Sequence, residues 1–328
     1  MSLLVQPSDR LITIIGGSGF LGRHIVRALA RRGYRIRVGC RRPDLAGHLQ
    51  PLGNPGQIMM VQANVRYPAS LTAACAGAYA VINLTGVLYS AGAQSFDAVH
   101  TFGAEASARA ATNAKARLFI QMSAIGADPN SGAAYARSKA EGERRAREQF
   151  PGAIVLRPSI VFGPEDSFFN RFADMARFAP FLPLIGGGET RFAPVFAGDI
   201  GEAVARLIDR GDADGKTYEL GGPEVLSFRQ LMAFTLDTIE RKRLLVTVPW
   251  SVAKLQAAVL GLLPKPLLTL DQVELLKTDN VVSAAARREH RTLEGLGITP
   301  QGIEGIVPGY LYRYRKAGQF TAPKGIPE

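Results

Sequence analysis

Tyr135 and Lys139 stand four residues apart in Tyr135-Ala136-Arg137-Ser138-Lys139. On a helix that spacing places a phenol and an ammonium on one face, one turn apart. A free phenol ionises near pH 10 (about 10 in model peptides) and serves poorly as an acid or base at neutrality. A neighbouring ammonium favours the phenolate, so Lys139 is expected to bring Tyr135 toward a useful range and also to donate to a ribose. Tyr-x-x-x-Lys is common by chance as a surface pair. Its setting raises it: the apolar run Leu118-Phe119-Ile120-Gln121-Met122 reads as a strand that delivers Ser123 to the same edge, where a hydroxyl can steady a developing oxyanion. Tyr135, Lys139 and Ser123 are therefore the candidate catalytic residues.

Such a group needs something to act with, and the start of the chain supplies it. Leu11-Ile12-Thr13-Ile14-Ile15 is a buried-strand pattern, Gly16-Gly17-Ser18-Gly19-Phe20-Leu21-Gly22 a glycine-rich turn, and the residues from Arg23 to Leu29 an amphipathic helix. Gly16 allows the sharp turn, Gly19 lets backbone approach a pyrophosphate, and Gly22 lets helix and strand pack closely. The helix N-terminus then offers unpaired N–H groups to an anion. The next strand, residues 35–40, ends in Arg41-Arg42-Pro43, with no acid between Gly33 and Pro43. An acid at that point usually holds the adenosine ribose, and arginine accommodates a 2′-phosphate. The pair predicts NADP(H) rather than NAD(H); a solvated arginine pair at a strand end is the alternative.

Further strands at 58–62 and 81–84 end at Asn64-Val65 and at Thr85-Gly86, which face the same edge as turn-formers or as nucleotide contacts. Residues 96–116 read as an Ala-rich helix. Strands alternating with helices give a Rossmann-like, doubly wound parallel α/β sheet. Residues 1–165 are assigned to the NADP(H)-binding core and 166–328 to a smaller C-terminal lobe for substrate or partner, which returns segments to the core. Within the lobe, the aromatics of 168–178 read as core or lid, 181–188 as a loop, Asp199 as a helix cap, and Ser227 as the cap of a helix over 228–240.

The glycine turn and the Tyr135/Lys139 pair resemble an extended short-chain dehydrogenase/reductase of the epimerase/dehydratase-like kind. Val155-Leu156-Arg157-Pro158 and Pro194-Val195-Phe196-Ala197-Gly198-Asp199 agree with this. With Ser123-Ala124-Ile125-Gly126-Ala127 and Tyr218-Glu219-Leu220-Gly221-Gly222-Pro223, the chain is similar over residues 10–315 to the atypical branch that includes the nucleotide-binding accessory subunit of respiratory complex I (NADH:ubiquinone oxidoreductase). The resemblance implies nucleotide contacts from Gly16, Ser18, Gly19, Phe20, Leu21, Arg41, Arg42, Val65, Thr85, Tyr135, Lys139 and Pro158. It also implies complex I subunits as partners. Two departures stand out: Ser123 falls early, with Ala124 and Ile125 where a hydroxyl is expected, and His100 with Gly103-Ala104 replaces an asparagine before a Gly-Thr pair. Together they imply firm NADP(H) binding with slow turnover or none, since catalysis needs donors aimed at a transition state and binding does not. An active NADPH-dependent reductase or epimerase, on an isoprenoid, quinone or sugar-nucleotide substrate, is the alternative.

Composition narrows the remaining classes. The 328 residues suffice for a large core, and 39 Lys and Arg against 28 Asp and Glu give a net charge of +11, which favours anionic partners. The cations are spread along the chain without aromatic interleaving, which argues against nucleic acid. Cys40 and Cys75, like His24, His48, His100 and His290, are isolated, which argues against a metal site and suits a reducing compartment. No signal-peptide pattern precedes the first strand, so the expected location is cytoplasmic, with peripheral contact at the inner face of the cell membrane. The apolar segment 250–270 is either a helix packed on the lobe or a surface for a membrane or partner. The mixed aromatic and basic run 310–316 suits docking on an acidic surface, and 321–328 reads as a frayed end.

Overall fold

The computed structural model describes residues 6–261, 263, 266 and 268–316. The expected frayed end at 321–328 lies outside these, as do Leu262, Pro264, Lys265 and Leu267 of the apolar segment. In the first half β1 (Leu11–Ile15), α1 (Phe20–Arg31), β2 (Arg35–Cys40), β3 (Ile58–Gln62), α2 (Pro68–Cys75), β4 (Ala80–Asn83), α3 (Phe102–Asn113), β5 (Leu118–Met122), α4 (Ala134–Gln149) and β6 (Ile154–Pro158) alternate along the chain. Then follow β7 (Val161–Phe162), α5 (Phe169–Phe178), β8 (Phe181–Ile185), β9 (Arg191–Phe192), β10 (Val195–Phe196), α6 (Ala197–Arg210), β11 (Thr217–Leu220), β12 (Leu226–Ser227), α7 (Phe228–Thr238), β13 (Leu244–Val248), α8 (Trp250–Leu260) and α9 (Leu270–Leu275).

Seven strands form the central sheet in the order β11-β6-β5-β4-β1-β2-β3. Every neighbouring pair is parallel. A parallel sheet must be covered on both faces, which is why β1 and β4 are mostly apolar, with Thr13 and Asn83 buried and hydrogen-bonded. Ile12, Ile14, Ile36, Val38, Ile82 and Ile120 pack on one face with residues of α1 and α6. Ile15, Val81 and Phe119 pack on the other with residues of α2, α3 and α4. The strand order reverses between β1 and β4, and a crevice opens beyond their C-terminal ends at such a point.

The second half is not a separate body. α6 lies against α1, and β11 completes the central sheet. Phe169 and Phe172 of α5 join Phe228, Leu231 and Tyr310 in a core of their own. Residues 181–185, expected as loop, instead form β8, which pairs in parallel with β13 some sixty residues on. Pro183 disguises the strand in sequence, and only a distant partner makes it one. Asp199, expected as a cap, sits inside the first turn of α6 and accepts hydrogen bonds from Gln301 N (2.8 Å) and Nε2 (3.2 Å). Ser227 does cap α7, exchanging hydrogen bonds with Gln230. α8 is packed on the lobe through Ala253 and Ala257 while Val252, Leu255 and Val259 stay exposed.

Candidate functional site

A cleft of about 310 Å³ lies at the reversal point of the sheet. Gly16, Ser18, Gly19, Arg41, Asn64, Val65, Thr85 and Gly86 line it, together with Gly39, Cys40, Arg66 and Gln94, which sequence reading passed over. Gly16 adopts φ +77°, a left-handed turn that a side chain resists. A Cβ on Gly22 would stand 2.2 Å from the Gly17 carbonyl oxygen, so α1 can meet the turn only through glycine. Gly19 is the N-cap of α1, and no side chain caps that end, leaving its first N–H groups for an anion. This cradle fits a dinucleotide pyrophosphate.

Several of the expected contacts do not line the cleft. Phe20, Leu21 and Gly22 form the first turn of α1 behind it, and Pro158 ends β6, three strands across from β1. The arginine pair also splits. Arg41 lines the cleft, whereas Arg42 donates from Nε and Nη2 to Asp44 at 3.1 and 2.8 Å. Asp44 directly follows Pro43, and Arg42 holds its carboxyl below the usual range. Thr85 is steadied by Asn83, whose Oδ1 accepts from the Thr85 N–H (3.1 Å) and hydroxyl (2.7 Å).

Lys139 borders the cleft at Gly86, since a Cβ built on that glycine would lie 3.3 Å from Nζ. Tyr135 is one turn away, its ring centroid 5.8 Å from the ammonium. Burial pushes Lys139 down to about 8, with Glu143 opposing the shift. Burial, and then the charge of Asp271, pushes Tyr135 up to about 12. The expected lowering of the phenol is thus corrected: burial disfavours the phenolate, and the Asp271 carboxylate adds to that. At neutral pH this phenol can donate a proton but cannot serve as a ready base.

Ser123 requires a correction as well. Its hydroxyl donates to the buried carboxylate of Glu143, which also takes two hydrogen bonds from Arg157 at 2.9 and 2.7 Å. Its only proton is engaged there, so it does not serve as a donor to a substrate oxygen. His100, a departure in sequence, has a structural role. It lies in a π-helical turn (Asp97–Thr101) ahead of α3, where its Nε2 accepts from the Val87 N–H (3.0 Å). Its Nδ1 therefore carries the proton and donates to Ser138 Oγ at 2.9 Å. Burial, then Lys139, lowers His100 to about 3 against the Val87 hydrogen bond, so the ring is neutral and locked beside Tyr135, centroids 5.3 Å apart.

The helix that carries Tyr135 and Lys139 has no cap of its own, because its N-cap residue is Ala133. Asp271, from α9 in the lobe, supplies one: its carboxylate accepts from the Ala134 N–H at 2.5 Å and the Tyr135 N–H at 3.0 Å. A carboxylate there also meets the positive end of the helix dipole. No local signal announces this contact across more than a hundred residues.

Sequence comparison agrees with this frame. A family model described as NAD(P)H-binding matches residues 16–159. A solved NADPH-dependent quinone oxidoreductase from Escherichia coli, complexed with NADPH, superposes with a TM-score of 0.70 at 20% identity, covering 92% of this chain and 99% of that one. The chain thus carries an NAD(P)H-binding domain on a Rossmann-like fold. It is 35% identical over 95% of its length to NADH dehydrogenase (ubiquinone) 1 alpha subcomplex subunit 9, mitochondrial, of Arabidopsis thaliana, covering 79% of that protein. It is 30% identical over 95% of its length to the mitochondrial NADH-ubiquinone oxidoreductase 40 kDa subunit of Neurospora crassa, covering 81% of that protein. The chain belongs to this family of complex I subunits. The cytoplasmic location expected from the missing signal-peptide pattern and the cysteine usage is corrected by these relatives, which are mitochondrial subunits of a respiratory complex. Buried thiols and a positive charge suit either compartment, so composition could not decide it. Among the described residues no helix is long and apolar enough to cross a membrane.

Proposed function

We propose that this chain is an NADP(H)-binding accessory subunit of respiratory complex I with little or no turnover of its own. One contrast carries the reading: a dinucleotide cleft is lined by the glycine turn and the strand ends, while the group beside it lacks a ready base and a free hydroxyl donor. Tyr135 is held as a neutral phenol, Ser123 is engaged by Glu143, and His100 is neutral and fixed. Gly16, Ser18 and Gly19 would take the pyrophosphate, Arg41 the 2′-phosphate, Asn64 and Val65 the adenine side, and Thr85, Gly86 and Lys139 the nicotinamide side. When bound, the nucleotide could supply hydride chemistry. The chain's own residues bind and orient it, and the binding energy stabilises the folded core whose residues line the cleft. The exposed side of α8 supports peripheral contact with the membrane that carries the complex.

Parallel titrations with NADPH and NADH, followed by hours of monitoring with carbonyl, quinone and sugar-nucleotide substrates, test this. Tight NADPH binding, weaker NADH binding and a constant signal are expected. A second reading, an active reductase, is favoured by the retained Tyr135/Lys139 geometry at the cleft wall. Turnover lost in Tyr135→Phe would establish it and overturn the first.

A further inference from the structure

β8 and β13 form a two-stranded parallel sheet. In a parallel ladder, alternate residues direct both backbone groups to the same neighbour. The Leu244 N–H donates to the Pro180 carbonyl at 3.3 Å. Leu244, Val246 and Val248 are therefore engaged by β8, and Leu245 and Thr247 turn N–H and C=O outward. No described residue pairs with those outward groups. β8 is backed by α5 and α7, whereas β13 is the open edge.

An open edge is a template for another strand, and proteins ordinarily blunt one with charge, proline or a covering element. The Leu244-Leu245-Val246-Thr247-Val248 strand has neither charge nor proline. Apolar side chains surround it in the open: Phe178 is 78% exposed, Leu244 72%, Phe181 45% and Val246 40%. Arg241, Lys242 and Arg243 lead directly into the strand. Arg241 and Arg243 donate from Nε to the carbonyls of Tyr314 and Ala176, both at 2.8 Å, and none of the three pairs with a carboxylate among the described residues. Nearby Arg177 and Arg315 are matched by Asp174 and Glu240.

We propose that the outer edge of β13 docks an extended acidic segment of a partner protein, added as a third strand with its carboxylates over residues 241–243. The proposal rests on the subunit reading for its biological setting, but its chemistry stands on the edge and the charge alone. A lipid surface would satisfy the cations and apolar side chains yet leave the outward backbone groups unpaired, so a polypeptide strand is the better complement.

A fluorescein-labelled peptide of alternating glutamate and valine, titrated against the full chain with NADPH present and read by anisotropy, tests it. Binding is expected, with a loss of about tenfold or more when alternate peptide amides are N-methylated, when lysine replaces glutamate, or when the protein carries Lys242→Glu. Equal binding of the N-methylated or lysine peptide overturns strand addition or charge pairing respectively. Anionic phosphatidylglycerol vesicles that bind through Leu244 and displace no peptide would assign the patch to lipid and sink the proposal. NADPH affinity measured on the same samples reports the nucleotide reading separately, so failure of one is not failure of the other.

Discussion

Replacing Asp271 with alanine removes the cap on the helix that carries Tyr135 and Lys139 without touching either residue. Two backbone N–H groups lose their acceptor. A lost N-cap costs about 1 kcal/mol, and the lost carboxylate at the dipole adds about 0.5 kcal/mol, for a total of about 1–2 kcal/mol. For a chain of this size that corresponds to a fall in Tm of about 1.5–3 °C. Because α4 positions Lys139 against Gly86, NADPH affinity should drop several-fold as well. Differential scanning fluorimetry with and without NADPH, together with nucleotide titration, measures both. Adding Ala133→Asp to Asp271→Ala restores a cap from within the helix and should recover most of each loss. If Asp271→Ala leaves Tm and affinity unchanged, or the added Asp recovers neither, the lobe does not hold this helix and the reasoning fails.

The split of the arginine pair makes Arg41→Ser expected to weaken NADPH by roughly tenfold while sparing NADH, because one cation at the cleft meets the extra phosphate; Asp44→Ala should strengthen NADPH by freeing Arg42, and fluorescence titration with both nucleotides checks the pair. Lys139 titrates at about 8, so its charge is full below that pH and lost above it. NADPH affinity should therefore fall as pH rises through about 8, by at most tenfold per pH unit, and Lys139→Met should give a flat, weaker profile. The same shift has a stability consequence of opposite sense: with the folded value below the ordinary 10.5, burying the ammonium is a full cost below about 8 that fades as pH rises toward 10.5, visible as a smaller high-pH loss of Tm in wild type than in Lys139→Met. Gly142→Ala would set a Cβ 2.2 Å from the His100 carbonyl oxygen, forcing α4 from the π-helical turn. A cost of about 2 kcal/mol with weakened NADPH binding is expected, and unchanged thermal unfolding would refute the close contact.

The β-branched run ending at Gly16, the turn closed by Gly22 and the strand ends at Asn64 and Thr85 are local patterns, so the sequence alone carried the sheet, the cleft and its phosphate end. Periodicity and glycine placement encode such features within a few residues, as they did the Ser227 cap. The state of the chemical group is different, because it depends on what surrounds each side chain. Tyr-x-x-x-Lys predicts an activated phenol, yet burial and a carboxylate from the lobe raise it. Ser123 reads as a donor until Glu143, itself held by Arg157, takes its hydroxyl proton. β8 reads as loop until β13 pairs with it, and Asp271 is an unremarkable helix-start acid until it reaches Ala134 and Tyr135. Desolvation and long-range pairing are properties of the packed chain, and they, rather than any motif, determine whether this nucleotide cleft does chemistry or holds its ligand.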